Sequence, residues 1–186
     1  MSSLLTPTPG QTVGPFFGYA LPFERGNELV PPGSAQAIRL HGRVTDGKGN
    51  PVPDALLEIW QADADGNVPT TTGALRRDGW TYTGWGRAST DDEGYYTFTT
   101  VVPGATKPAA APFISMTIFA RGLLNRLFTR VYPPSAGLAD DALLSSLPAD
   151  RRATLLATPD RDGLRFDVSL QGPHETVFLR YSGHRP

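Results

Sequence analysis

Proline and glycine punctuate this chain so often that it cannot be assembled from long helices. Gly occurs 20 times and Pro 18 times in 186 residues, and they separate short runs of apolar, aromatic and threonine residues. Proline lacks a backbone donor and clashes with the preceding helical turn; glycine weakens the interior of a regular element. The runs between them carry the period of strands. Ile38, Leu40, Gly42 and Val44 alternate with Arg39, His41, Arg43 and Thr45, the two-residue repeat of a half-buried strand. Asp46-Gly47 and Asn50-Pro51 then supply turn chemistry. Further strands are predicted at 55–62, 80–89, 95–102, 113–120, 127–132, 164–170 and 176–181, with 113–120 apolar enough to be central. Many short strands with turn signals between them predict a mostly β, two-sheet sandwich. One stretch departs from the pattern. Residues 140–157 carry Leu143, Leu144, Leu147, Leu155 and Leu156, with Asp140 as a candidate N-cap and Pro148 as a candidate first-turn residue, which predicts two short helices.

Ahead of the strands, residues 1–36 read as an irregular arm, because prolines 7, 9, 15, 22, 31 and 32 forbid a long helix. Phe16, Phe17, Tyr19 and Phe23 give the arm enough apolar weight to pack, and a partner chain is its expected seat. Residues 37–186 are then one sandwich domain, large enough to bury roughly 70% of its unfolded surface. The absence of cysteine excludes disulfides and thiolate metal sites and is compatible with the cytoplasm, the expected location. With 17 basic and 18 acidic residues there is no positive excess to neutralise phosphates, which argues against nucleic acid. No basic and then continuously apolar leader opens the sequence, and no run approaches the ~20 apolar residues of a membrane helix.

Four segments in order carry more specific information. They are Leu5-Thr6-Pro7-Thr8-Pro9-Gly10-Gln11-Thr12-Val13-Gly14-Pro15-Phe16, Leu57-Glu58-Ile59-Trp60-Gln61-Ala62-Asp63, Asp91-Asp92-Glu93-Gly94-Tyr95-Tyr96-Thr97-Phe98 and Val102-Pro103-Gly104. In that order and spacing the chain resembles the intradiol ring-cleavage dioxygenases, which split catechol-type rings between the two hydroxyls with non-haem ferric iron. The resemblance implies a prealbumin-like sandwich of the intradiol type. It also locates the iron ligands, two tyrosines and a His-x-His pair. The matching positions here are Val68, Thr106, Phe113 and Ser115. Ala110 and Ala111 stand where the family has an arginine ahead of that pair. No His or Tyr occurs between residues 97 and 131, so the gap does not depend on a small slip of alignment.

The resemblance is therefore to the iron-free, alpha-type subunits of the family. It implies that Fe(III) is bound by a partner beta subunit. It implies cleavage of protocatechuate (3,4-dihydroxybenzoate) with O₂ to 3-carboxy-cis,cis-muconate. On this chain it points to Thr12, Gly14 and Pro15 of the arm and to Arg121 as the residues that close the partner's pocket, with no catalytic residue and no metal ligand of its own. The physical readings remain open beside it. The arm segment also suits a clamp on its own domain, and Arg121 suits either a substrate carboxylate or a subunit interface, with Arg126 and Arg130 as competitors. Trp60 and Trp85 read as core or interface residues. His41, His174 and His184 lie in no ligand spacing, and Asp63-Ala64-Asp65-Gly66 fails the calcium-loop template because Val68 and Ala74 occupy its glycine and glutamate places. The alternative at this level is a transthyretin-like binding or structural module without redox chemistry, which the run Gly42 to Ala55 would also suit.

Overall fold

The structure, a computed structural model, describes residues 12, 14, 16–70, 75–108 and 110–181. A one-turn helix, α1 (Phe17–Ala20), leads into the arm, followed by β1 (Ile38–Thr45), β2 (Leu56–Trp60), β3 (Trp85–Ser89), β4 (Tyr95–Thr100), β5 (Ile114–Phe119) and β6 (Leu127–Val131). A 3₁₀ turn (Ala136–Asp140), α2 (Ala142–Ser145) and α3 (Ala149–Ala153) precede three short strands, β7 (Thr158–Asp160), β8 (Gly163–Arg165) and β9 (Val168–Ser169). One sheet has the order β4-β1-β8-β7, with β9 also pairing β1; the other has the order β3-β2-β5-β6.

Alternation places the core between the sheets. Leu40, Val44, Tyr96, Phe98, Leu164, Phe166 and Val168 meet Leu57, Ile59, Met116, Ile118 and Val131 across one continuous buried cluster. The β5 run is central, flanked by β2 and β6, and only Ile114, Met116 and Ile118 point into the core. Gly42 is required here. A Cβ on it would lie 1.9 Å from the Phe166 carbonyl oxygen, the same oxygen that accepts the buried Tyr96 hydroxyl at 2.6 Å.

The arm is tied to this chain's own sheets. Gly26 accepts from the Arg87 N–H of β3 at 2.8 Å. Asn27 accepts from the Thr99 N–H of β4, and the Leu29 N–H donates to the Thr99 carbonyl. Residues 26–29 thus bridge the outer strands of both sheets on one side of the sandwich, and buried Leu29 enters the core between them. Gly86 makes the room, since a Cβ there would lie 2.4 Å from Leu29 Cδ1.

Five local expectations need correction. The strand predicted at 80–89 begins only at Trp85, because Asp78 folds the preceding segment into a turn by accepting from the Trp80 and Thr81 N–H groups. Residues 176–181 form no strand: Leu179 N–H donates to the Phe128 carbonyl, but no ladder follows. The predicted strand at 164–170 is broken into β8 and β9 at Phe166-Asp167. The helical cap is Asp141 rather than Asp140, accepting from the Leu143 and Leu144 N–H groups, and Pro148 is the N-cap of α3 rather than its first-turn residue. Among the described residues no helix is long and apolar enough to cross a membrane.

Candidate functional site

The second sheet has a solvent-facing side as well as a core side, and its register composes a row there. Trp60 of β2 pairs with Ser115 of β5, which pairs with Arg130 of β6. Their inward neighbours Ile59, Met116 and Thr129 are buried, so these three share the opposite face. Two loops wall the row. In the first, the Asp63 carboxylate accepts from the Asp65 and Asn67 N–H groups at 3.0 and 2.8 Å, and the turn delivers Val68. In the second, the Gly104 N–H donates to the Asp63 carbonyl at 2.7 Å, docking the Pro103-Gly104 turn that delivers Thr106. Phe113 stands just before β5. Val68, Thr106, Phe113 and Ser115 therefore line one cavity of about 320 Å³ together with Trp60, Arg130 and Tyr181.

The four positions that the family resemblance matched to iron ligands converge in space, but their chemistry is an isopropyl group, two hydroxyls and a phenyl ring. The cavity also contains a positive charge. The Arg130 guanidinium carbon sits 4.0 Å from the centre of the Phe113 ring. Its Nη1 donates to the Tyr132 hydroxyl at 3.2 Å, which donates in turn to Asp141 Oδ1 at 3.1 Å. Burial, the leading cause, raises the Tyr132 pKa, so the phenol stays neutral and no phenolate offsets the guanidinium. A trivalent hard cation needs anionic oxygen or imidazole donors; this cavity offers neither, and Arg130 repels it. The lining of this cavity does not fit ferric iron. Among the described residues no group of three or more His, Asp or Glu is placed to hold a metal. The Asp63 carboxylate, superficially calcium-like, is held below its usual pKa by hydrogen bonds, the Asn67 N–H foremost, and is absorbed by its own turn.

The arm residues and Arg121 lie elsewhere. Thr12 is exposed, and its Oγ1 accepts the Gly14 N–H at 3.3 Å; Gly14 has φ of 70°. Pro15 falls outside the described residues. Arg121 follows the far end of β5, six strand residues or about 20 Å from the cavity end. It is exposed, and its Nη2 donates to Asp54 Oδ2 in an ion pair. Asp54 packs against α1, with Gly18 so near that a Cβ on it would lie 3.4 Å from Asp54 Cβ. The structure thus brings Arg121 to the foot of the arm helix and not to Val68, Thr106, Phe113 and Ser115.

Other candidates resolve simply. His41 is buried, with Nε2 3.1 Å from Asp160 Oδ1; His174 is exposed; His184 lies outside the described residues. Trp60 is not a core residue, being 53% exposed on the row. Trp85 stacks on Phe23 of the arm. The residue whose place the sequence hides most is Arg130. It is one of three arginines in one stretch, and only the β5–β6 register sets it opposite Ser115.

With four convergent positions stripped of ligands, the comparison with known proteins becomes decisive. Residues 13–172 match the Dioxygenase family. The chain belongs to the intradiol dioxygenases. Among its relatives, the protocatechuate 3,4-dioxygenase alpha chain of Burkholderia cepacia is 40% identical, covering 94% of this chain and 98% of that one. The beta chain from the same organism is 32% identical, covering 78% of this chain and 68% of that one. Of solved structures, the dioxygenase domain of a dioxygenase and carbohydrate-binding fusion from Streptomyces sp. SirexAA-E superimposes with a TM-score of 0.59 at 26% identity, covering 90% of this chain and 99% of that one. Membership in the intradiol dioxygenases sets aside the transthyretin-like alternative, which shares only the sandwich. It also implies non-haem iron as the family's cofactor, and among the described residues the cavity of Val68, Thr106, Phe113 and Ser115 offers no donor set for it.

Proposed function

We propose that this chain is the iron-free alpha subunit of a protocatechuate 3,4-dioxygenase and that its beta partner holds the Fe(III). The observation that carries the reading is the cavity where Val68, Thr106, Phe113 and Ser115 converge without a single suitable ligand, beside the Arg130 charge. Similarity to both alpha and beta chains supports a heteromer of related subunits. The reaction adds both atoms of O₂ to protocatechuate and opens the ring between its hydroxyls to 3-carboxy-cis,cis-muconate, with the partner's iron supplying activation of the catecholate towards O₂.

This chain contributes binding and enclosure. Thr12, Gly14 and Pro15 close the partner's pocket, and the arm packs across the partner. Arg121 attracts and orients the carboxylate that distinguishes protocatechuate from catechol. A guanidinium presents more donors than the Asp54 contact uses, so it can hold Asp54 and a substrate carboxylate together. The family expectation, a cytoplasmic enzyme, accords with a chain free of cysteine.

Purification of the full chain alone tests the assignment. It should be colourless, bind no stoichiometric Fe(III) and consume no O₂ with protocatechuate. Co-expression with a beta-type chain that retains two Tyr and two His ligands should give a coloured complex that turns over. A tyrosinate-to-iron absorption band in the lone chain, or turnover by it, would overturn the reading.

A further inference from the structure

The cavity without iron donors has the features of a different site. At about 320 Å³ it lies at the small end of the ~300–1,000 Å³ typical of small-molecule sites, room for one ring and its substituent. One flank is aromatic. Trp60 leaves half of its surface open there, and Phe113 and Tyr181 line the same space. The other flank is cationic. Among the described residues the Arg130 guanidinium makes one hydrogen bond, to Tyr132, and its Nε is buried without a partner. Buried donors are normally satisfied, and this arginine lines the cavity with guanidinium donors to spare. Ser115 stands between the flanks in register with both Trp60 and Arg130, adding a hydroxyl. Two strand spacings separate the Trp60 and Arg130 backbones, about 10 Å, so both side chains can reach one small ring and its carboxylate.

We propose that the cavity lined by Trp60, Phe113, Ser115 and Arg130 is a metal-free binding site for small aromatic carboxylates, with the ring against Trp60 and the carboxylate on Arg130. The site needs no iron and no partner, so it stands apart from the proposed alpha-subunit role. The anion completes the guanidinium's donor set, and Phe113, packed on the guanidinium, shields that contact from water and strengthens it.

Benzoate titrated into the full chain, followed by tryptophan fluorescence and by calorimetry, tests this directly. Saturable one-to-one binding is expected. Benzamide, isosteric and uncharged, should bind at least about tenfold more weakly, as should acetate, which lacks the ring. Arg130→Gln should lose at least about tenfold in affinity. Should that variant fold poorly, Val68→Trp at the half-exposed rim provides the second arm. It should crowd the cavity and weaken benzoate binding at least about tenfold while the thermal midpoint stays within a few degrees of the parent. Equal binding of benzoate and benzamide, no saturable binding, or unaltered benzoate affinity in Val68→Trp would each overturn the proposal. None of these readouts depends on iron or turnover, so its failure would leave the subunit assignment standing.

Discussion

Two arginines show how one side-chain type is put to two uses. Arg121 is exposed and pairs with Asp54, and the Asp54 hydrogen bond holds its pKa further up. Arg130 is half-buried against an aromatic ring. The first faces solvent beside the arm helix, whereas the second lines this chain's cavity. In the assembled enzyme, Arg121→Gln should raise KM for protocatechuate by about tenfold and change KM for catechol little, since catechol has no carboxylate to lose. Steady-state kinetics on both substrates, with the heteromer verified by size-exclusion chromatography, checks this; dissociation of the subunits instead would assign Arg121 to the interface. At this scale, that Phe113 and Ser115 share one site could be expected from the family resemblance. That Ser115 faces Arg130 could not, because cross-strand register depends on which strands pair, and that is settled by the whole fold.

Among the elements, β1 is the most constrained. It pairs with β4 on one side and with β8 and β9 on the other. Gly42 lets the backbone at Phe166 come close enough to accept the Tyr96 hydroxyl. Gly42→Ala should therefore cost about 3 kcal/mol, through overpacking and the displaced hydrogen bond. The expected fall in Tm is about 6–12 °C for a chain of this size, measurable by circular dichroism. The alternation of β1, β2, β4, β5 and β6 was legible because each buries one face, and a period of two survives in the residue order. The short strands at the C-terminal end were not. β7 is exposed along its length and so carries no apolar signature. Residues 176–181 look strand-like because Val177 and its neighbours face the second hydrophobic cluster, yet their backbone finds only isolated partners. The predicted helices held because two neighbouring signals, a carboxylate cap and a proline, are local chemistry; their assignment moved by one residue at Asp141 and Pro148.

The molecule as a whole carries near-balanced charge at neutrality, and in acid particular carboxylates make its stability depend on pH. Three aspartates tie separate loops through their side chains. Thr81's hydroxyl, then its N–H, brings Asp78 down to about 2. Asn50 lowers Asp46, and Asn67 lowers Asp63. Each is depressed relative to the unfolded chain, so in the interval below the ordinary value of 3.8 the unfolded state binds protons that the native state refuses. Their stabilisation is complete above that value and is lost as pH falls through it towards about 2. Thermal melts between pH 5 and 2 should show a Tm that declines with acid, and Asp78→Asn, which keeps the acceptor oxygen but does not titrate, should make the decline shallower.

The crossing made by Gly26 to Leu29 has an outcome for how such chains meet. Open β rims invite strand addition by neighbours. One four-residue clasp occupies the rims beside Arg87 and Thr99 at once, so end-on polymerisation through that flank is shut off by the protein's own leader segment. A cut or substitution that lifts the clasp would expose two sticky borders together.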